Sequence, residues 1–589
     1  MNSRAMEHRN GRTIIRFLAL CFGILLARAF QLQVVQGSGY RDWSERNRVR
    51  QVPVPASRGR IYDRYGQILT DNRPSFCLYA VPQVLTTYNH DTSAVASILG
   101  LPFGEIVRRT LDAQTSPFHP VRVLRDVDFE TLTRVEESRA DLPGLFFQVE
   151  PVRTYPSPVR ATHALGYCGE AGKDNLAVLE GRRVNPGEMV GKTGVEARYD
   201  GFLRGRDGFR YVEVDVRGRE VGDFSGRRDV EPEPGRDVML TIDLEIQQVA
   251  ETSMDGVRGA LVAFDPRNGE ILALVSKPDF PLEPFARRLS PDVWRRLLDD
   301  PDEPLLNRPI QAQLPPGSTY KLILASAALD GKIVNPQDRV YCSGVFMLGR
   351  RPFQCWRPEG HGSVNLLEAL AGSCNVYFYE LGLKTGLDAW SNHGRLFGFG
   401  RPSGIDLNGE ASGLLPTRSY MDDRYGKRGW TQGMVVNLAV GQGDLLVTPL
   451  QMACLAAAVS MEGTTVRPHL VHSIRKQNSD RWDDRQIDGH RIDGVARETY
   501  RMLKEGMFRC VNTAGGTGRA ARVTDLDVCG KTGTAQNPRG EPHAWFIGFA
   551  PRDKPEIAVA VVVEHGGSGG GAAAPIAGQL FRFLKKRAD

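Results

Sequence analysis

Three short residue sets in this 589-residue chain have the types and spacing to do chemistry together. The first is Ser318-Thr-Tyr-Lys321, which directly follows Pro315-Pro316-Gly317. A serine at a helix start exposes its hydroxyl, and the free N–H groups there favour developing negative charge. A lysine three residues on lies one turn away on the same face. When desolvated, its amine is neutral and can serve as base for the serine. Taken alone, Ser318 reads first as a helix N-cap, because the pattern is short. The second set is Ser373-Cys374-Asn375, placed after a helical stretch over 366–371. Its serine can relay a proton and its amide can hold a substrate carbonyl. The third is Lys531-Thr532-Gly533-Thr534, which follows Cys529-Gly530 and is expected just ahead of a strand. A small glycine at a strand edge lets a peptide pair with the backbone, and a lysine with two hydroxyls suits a carboxylate. Each set is weak by itself. Their order along one stretch supplies a nucleophile, a base, a proton relay and an anion site.

A fourth group overlaps the second. Cys342, Cys355, His361 and Cys374 offer three thiols and one imidazole, a complete tetrahedral set for Zn²⁺. Their separations of 13, 6 and 13 residues are not those of a zinc finger, so the ion would clip together a folded excursion. Cys374 is the middle residue of Ser-Cys-Asn, so such an ion would brace that triplet. The alternative is a Cys342–Cys355 disulfide across a hairpin turning at Gly349-Arg350, which an oxidising compartment permits. Spacing does not decide between them. Cys21 lies in an apolar N-terminal run. Cys77, Cys168 and Cys454 read as isolated buried thiols. Cys510 and Cys529 can pair, which sequence cannot show.

The elements that must position these residues are those of an α+β chain in several domains. Strands are expected over 238–242, 260–264, 270–275, 544–550 and 557–564. Asn268-Gly269 is a strong hairpin signal between the second and third. Helices are expected from Leu244 onward, over 318–330 with a stop at Gly331, and over 577–585. Strands at both ends with helices between them imply one sheet assembled from distant segments. The preceding 200 or so residues are poor in long helical patterns, as in the alternating strand FRYVEVDV over 209–216. They end at the Pro/Gly-rich Glu231-Pro-Glu-Pro-Gly-Arg236. No internal repeat is evident.

At the N-terminus, Arg4, Arg9 and Arg12 precede an apolar stretch over 14–32 broken by Arg16, Arg28 and Gln31. An uncleaved anchor is expected, with the two inner arginines snorkelling to the interfaces. Ala27-Arg28-Ala29 leaves a cleaved signal as the alternative. Arg41, Arg46, Arg48 and Arg50 crowd the other flank, so charge asymmetry says little about orientation. The organisation expected is a tail over 1–12, an anchor over 13–35, an elongated mixed domain over 36–236 and an α/β domain over 237–589. Net charge is +6 at a sequence pI of about 8.8, without a block of like charges. No zinc-finger spacing, Walker loop or RNP-like strand points to nucleic acid.

On these residues the chain resembles the penicillin-binding proteins, serine acyltransferases whose signature is S-x-x-K, S-x-N and K-[TS]-G. The resemblance extends to Leu306-Asn307-Arg308, Gly441-Gln442-Gly443, Thr448-Pro449-Leu450-Gln451 and Lys531-Thr-Gly-Thr-Ala-Gln536. Upstream, Arg58-Gly-Arg-Ile-Tyr-Asp-Arg64 and Gly191-Lys-Thr-Gly-Val-Glu196 are similar to the pedestal, or dimerisation-type, domain of the monofunctional class B members. No lysozyme-like glycosyltransferase segment is evident. The resemblance implies an anchor, a pedestal and a transpeptidase domain like that of serine β-lactamases, with a central antiparallel sheet flanked by helices. It implies that Ser318 is acylated by peptidoglycan stem peptides ending in D-Ala-D-Ala and by β-lactams. Lys321 would take the serine proton, Ser373 with Lys531 would return one to the leaving D-Ala, and Asn375 would position the donor. Thr532, Gly533 and Thr534 would bind substrate, with backbone N–H groups of Ser318 and Thr534 as the oxyanion hole. An amine from a neighbouring stem peptide would resolve the acyl-enzyme.

The cysteine-containing insertion is similar to that of the elongation-type (penicillin-binding protein 2) subgroup. There a zinc site uses carboxylates, a histidine and the cysteine of the middle triplet. This implies Zn²⁺ on Cys342, Cys355, His361 and Cys374, with thiols where some relatives carry aspartate and Asp338 as a fallback ligand. It also implies wall elongation and rod-shape maintenance, and a polytopic glycosyltransferase of the shape, elongation, division and sporulation family as partner. The site would lie on the periplasmic side of the inner membrane, on a single-pass chain. Alternatives within the resemblance are septal synthesis, a D,D-carboxypeptidase or β-lactamase that admits water, a β-lactam sensor, and a scaffold that activates the glycosyltransferase.

Overall fold

Five runs of β-branched and small apolar residues, drawn from both ends of the C-terminal half, build one antiparallel sheet. They are β1 (Gly259–Phe264), β2 (Ile271–Lys277), β3 (Cys529–Ala535), β4 (His543–Ala550) and β5 (Ile557–Val563), in the order β2-β1-β5-β4-β3. The first two are joined by the expected turn, where Gly269 takes φ +82°. Because side chains alternate along a strand, the sheet feeds two cores. Leu261, Ala263, Val559, Val561 and Phe546 face one core with the helix Leu244–Ser253 and the C-terminal helix Ala574–Ala588. Ala260, Val262, Ala560, Val562 and Trp545 face the other. Strands β1, β2, β4 and β5 are buried on both faces, as a helix–sheet–helix sandwich requires, and β3 is buried except at Thr534.

The second core holds the helices that matter for chemistry. These are α1 (Lys321–Asp330), α2 (Leu366–Ala371), α3 (Asn375–Leu396, with a break at Gly386), α4 (Pro449–Ser460) and α5 (Arg497–Asn512). Helix α1 is apolar all round, and every residue from Lys321 to Ala328 is buried. Helix α2 starts on a capping box, Asn365 with Glu368, and α4 on another, Thr448 with Gln451.

This structure is a computed structural model, and it describes residues 3–37, 49–87, 92–113, 117, 120–139, 141–171, 184, 188–214, 220–224, 228–287, 289–538 and 540–588. Arg41, Arg46 and Arg48, and the end of the strand expected over 209–216, lie outside the described residues. The chain divides into two units that interleave along the sequence. One comprises 1–56, 74–151 and 206–233; the other comprises 57–73, 152–205 and 234–589. The first has its own small core, in which Leu78, Leu85, Val95, Ile106, Val123 and Val135 meet, and a sheet pairing Val49–Val54 with Gly208–Val214. It also carries the helix Ser3–Phe30, which continues to Val35; within it 15–35 is long and apolar enough to cross a membrane, and among the described residues nothing packs over that stretch.

Two local expectations change. The stretch 318–330 is not one helix: Gly317–Tyr320 is a 3-10 turn, and the α-helix begins at Lys321. Pro315 and Pro316 bar earlier helix, and Gly317 at φ +57° turns the chain sharply into it. Lys531-Thr532-Gly533-Thr534 does not precede a strand; it lies inside β3, which is the edge strand of the sheet. Glycines at 530 and 533 masked its strand character in sequence.

Candidate active site

The site forms where the 3-10 turn, the link between α2 and α3, and the edge strand β3 meet. The Lys321 N–H closes the 3-10 turn on the Ser318 carbonyl, and residues i and i+3 of such a turn share one face. The Ser318 side chain makes no N-capping hydrogen bond, and among the described residues its hydroxyl has no partner. The N-cap reading of this serine is therefore excluded.

Lys321 is fully buried, and its amine donates to the Ser373 carbonyl at 2.9 Å and to Asn375 Oδ1 at 2.8 Å. Burial, and then the nearby charge of Lys531, pull its pKa down to about 7. A neutral amine has two N–H donors and one lone pair. With those two donors on the Ser373 carbonyl and Asn375, the lone pair of the neutral amine is free to accept a proton from a hydroxyl brought to it. Lys531 is also fully buried, and burial lowers its pKa. It donates to Ser373 Oγ at 3.0 Å and to the Thr532 carbonyl at 3.0 Å. The Ser373 hydroxyl thus sits between two lysines, with Lys321 Nζ at 3.5 Å. Ser373 itself holds a left-handed backbone, φ +57°, which is strained for a residue with a Cβ.

Close backbone approach lets these pieces meet. A Cβ on Gly317 would lie 2.7 Å from the Thr534 carbonyl oxygen, one on Gly533 2.7 Å from that of Pro316, and one on Gly441 2.0 Å from that of Gly317. Trp545 Nε1 donates to the Pro315 carbonyl at 3.0 Å, tying the turn to β4. The Thr534 carbonyl accepts from Gln442 Nε2 at 3.4 Å, so it points off the open edge of β3. In an antiparallel strand the N–H of the same residue points the same way. Thr517 and Thr532 share a hydroxyl hydrogen bond at 2.5 Å. A cavity of about 1180 Å³ opens over Ser318, Ser373, Asn375, Thr517, Thr532 and Thr534.

The structure brings Cys342, Cys355, His361 and Cys374 together, with their donor atoms all within 4.8 Å of one another. Asp338 is not among them; its carboxylate accepts from the Asn335 N–H. His361 Nδ1 lies 3.6 Å from Cys342 Sγ and 3.5 Å from Cys355 Sγ. Tetrahedral zinc with ordinary Zn–S and Zn–N lengths puts sulfur and nitrogen about 3.5 Å apart. His361 Nε2 meets the Gly372 carbonyl at 3.1 Å. A carbonyl only accepts, so Nε2 carries the proton and Nδ1 keeps its lone pair for a ligand. The Asn375 N–H donates to Cys355 Sγ at 3.4 Å, and the Tyr377 N–H to Cys374 Sγ at 3.5 Å, both from the first turn of α3. Such N–H groups suit thiolates. A hydrogen bond from the Cys374 thiol holds the Cys355 thiol well below its usual range, and the same bond pushes Cys374 up. The donor set fits Zn²⁺. The hairpin Val345–Leu348 with Arg351–Gln354, turning at Gly349, lies between the first two cysteines, and all nine cysteines are unpaired.

Sequence reasoning assigned no role to Thr517, Tyr379 or the Trp356 ring, which also line the cavity. Thr517 lies in a loop and is placed by its N–H to the Ala371 carbonyl at 3.2 Å, a contact no local pattern announces.

The model of the penicillin-binding protein transpeptidase domain matches residues 259–582, over half the chain, and that of the penicillin-binding protein dimerisation domain matches 53–240. The chain belongs to the penicillin-binding proteins. It is 32% identical to the peptidoglycan D,D-transpeptidase MrdA of Haemophilus influenzae, over 97% of this chain and 91% of that one. It resembles the penicillin-binding protein PBP2 of Helicobacter pylori, solved in complex with MreC, with a TM-score of 0.77 and 26% identity over 91% of this chain and 99% of that one. A chain of a solved peptidoglycan synthase complex, from work on the coordination of polymerization and crosslinking, matches with a TM-score of 0.70 and 30% identity, over 97% of each chain. The expected family, and the expected fold of transpeptidase domain, dimerisation domain and one apolar N-terminal helix, are borne out.

Proposed function

We propose that this penicillin-binding protein is a peptidoglycan D,D-transpeptidase of the elongation type, working through a Ser318 acyl-enzyme. The observation that carries the mechanism is the buried amine of Lys321, held by the Ser373 carbonyl and Asn375 Oδ1 with a pKa near neutrality. Lys321 accepts the Ser318 proton as Oγ attacks the carbonyl of the penultimate D-Ala. Negative charge on that oxygen is met by the N–H groups of Ser318 and Thr534, the latter on the open edge of β3. The terminal carboxylate lies against the hydroxyls of Thr532, Thr534 and Thr517. Ser373, bridging both lysines, passes a proton to the leaving D-Ala nitrogen, and Asn375 holds the donor backbone. An amine of a second stem peptide then takes the acyl group in the reverse sequence. β-Lactams acylate the same oxygen.

Cys342, Cys355, His361 and Cys374 would hold Zn²⁺ as a cross-link with no part in the chemistry. It ties the hairpin to the turn that carries Ser373 and Asn375. The helix over 15–35 anchors the chain once in the inner membrane with the site on the periplasmic side, and the partners are shape-complex proteins, including a polytopic glycosyltransferase. The matches to MrdA, to a PBP2 bound to MreC and to a peptidoglycan synthase complex support this reading. The identity of the acceptor separates it from a carboxypeptidase. Incubation of the full chain in detergent with a D-Ala-D-Ala donor peptide and an excess of an amino-acceptor stem peptide is expected to yield mainly the amide-linked product, and Ser318→Ala none. Release of the shortened donor acid alone would make the enzyme a carboxypeptidase.

A further inference from the structure

Cys355 belongs both to the cysteine cluster and to the wall of the active-site cavity, although its side chain is only 5% exposed. Two other sulfurs stand within 4.8 Å of it. The residues around the cluster hold the catalytic turn. Trp356 Nε1 and His361 Nε2 both donate to the Gly372 carbonyl, each at 3.1 Å, and Gly372 leads directly into the strained Ser373. The Asn375 N–H rests on Cys355 Sγ itself. A change in the bonding of Cys355 therefore reaches Ser373 and Asn375 through one hydrogen bond each.

We propose that Cys355 is an oxidation site whose disulfide switches the transpeptidase off. This rests on the zinc reading above. A small two-electron oxidant, a peroxide or hypochlorous acid, enters through the active-site cavity. It transfers an oxygen to the Cys355 thiolate to give the sulfenic acid, and is itself reduced to water or chloride. A neighbouring cluster thiolate, Cys342 or Cys374, attacks that sulfur, the S–S bond forms, and the S–OH oxygen leaves as hydroxide, which solvent protonates to water. The two thiolates have then given up two electrons. The two donors that remain cannot hold a four-coordinate ion, so Zn²⁺ is lost. The Gly372 carbonyl loses its fixed partners, and the Ser373-Cys374-Asn375 turn relaxes away from Lys321. A site built with aspartates in place of Cys342 and Cys355 has no such response.

The test uses the zinc-loaded full chain treated with increasing hydrogen peroxide. Three readouts are followed: zinc release to a chromogenic chelator, peptide mapping of disulfides, and the rate of acylation by a fluorescent penicillin. Untreated protein labelled at Ser318 checks the catalytic reading separately. Zinc release, a Cys355 disulfide and a fall of roughly tenfold in acylation rate are expected in step, in line with the cost of disturbing groups around a metal site. Dithiothreitol with added Zn²⁺ is expected to restore the rate, which methionine or sulfinic damage would not allow. The double variant Cys342→Asp, Cys355→Asp is expected to keep its own untreated rate under the same peroxide. Protein that carries no zinc, that forms no Cys355 disulfide, or that loses activity without recovery on reduction overturns the proposal. If the double variant does not fold, recovery of the unmodified chain decides.

Discussion

In the proposed mechanism Lys321 is the residue on which the chemistry turns, because a charged amine at that position cannot take a proton from Ser318. Its burial, with the charge of Lys531 beside it, brings its pKa to about 7. The base form is absent well below that value and complete well above it. The rate of acylation by a penicillin is therefore expected to rise with pH through an inflection near neutrality and then to level. Lys321→Ala is expected to lower the rate by a factor on the order of 10² to 10⁴ and to remove the inflection. A flat profile in the unmodified enzyme would place the base elsewhere. Ser318, Lys321, Ser373, Asn375 and Lys531 were legible in sequence because they sit in three short patterns in a fixed order. The two donations that hold Lys321, to Ser373 O and Asn375 Oδ1, were not, since they span 52 and 54 positions of the chain.

At the scale of elements, the nucleophile turn and the edge strand approach so closely that glycine is required at their contacts. Gly441 has φ +72°, and any Cβ there would fall 2.0 Å from the Gly317 carbonyl oxygen. Gly441→Ala is expected to combine backbone strain of about 1–3 kcal/mol with displacement of the 3-10 turn. A melting temperature lowered by several degrees and a larger loss in acylation rate are the expected results. The capping boxes that start α2 and α4 emerge only with the structure, whereas four strands of the sheet were readable from short apolar runs and the Asn268-Gly269 turn. The 3-10 geometry at Ser318 was not, because a helical pattern begins in the same residues and only the packing of Gly317 against Thr534 tightens the turn. Nor was the strand carrying Lys531: its glycines lower its propensity, while pairing with β4 over seven positions forms it regardless.

For the whole molecule, two attachments lie outside the reaction itself. The first is the proposed zinc clip. Four donors within 4.8 Å connect a hairpin of the insertion to the start of α3. Removing zinc with a strong chelator is expected to lower the melting temperature and slow acylation, with recovery on adding Zn²⁺ back; a melting curve indifferent to chelation would show that no ion braces the fold. The ligand types were visible in sequence, but their convergence was not, because separations of 13, 6 and 13 residues close only through the folded hairpin. The second is the apolar helix over 15–35, over which nothing packs among the described residues. A chain lacking residues 1–36 is expected to stay in solution without detergent and to be acylated at the full-length rate. A lost acylation rate on that deletion would mean the helix supports the folded units as well as anchoring them.

Ser318 as the acylated nucleophile is tested most directly by mass mapping of the peptide labelled by a fluorescent penicillin. One adduct per chain is expected, on Ser318, and none in Ser318→Ala while that variant keeps its fold. An adduct on any other residue, or none on folded, zinc-loaded protein, would contradict that role.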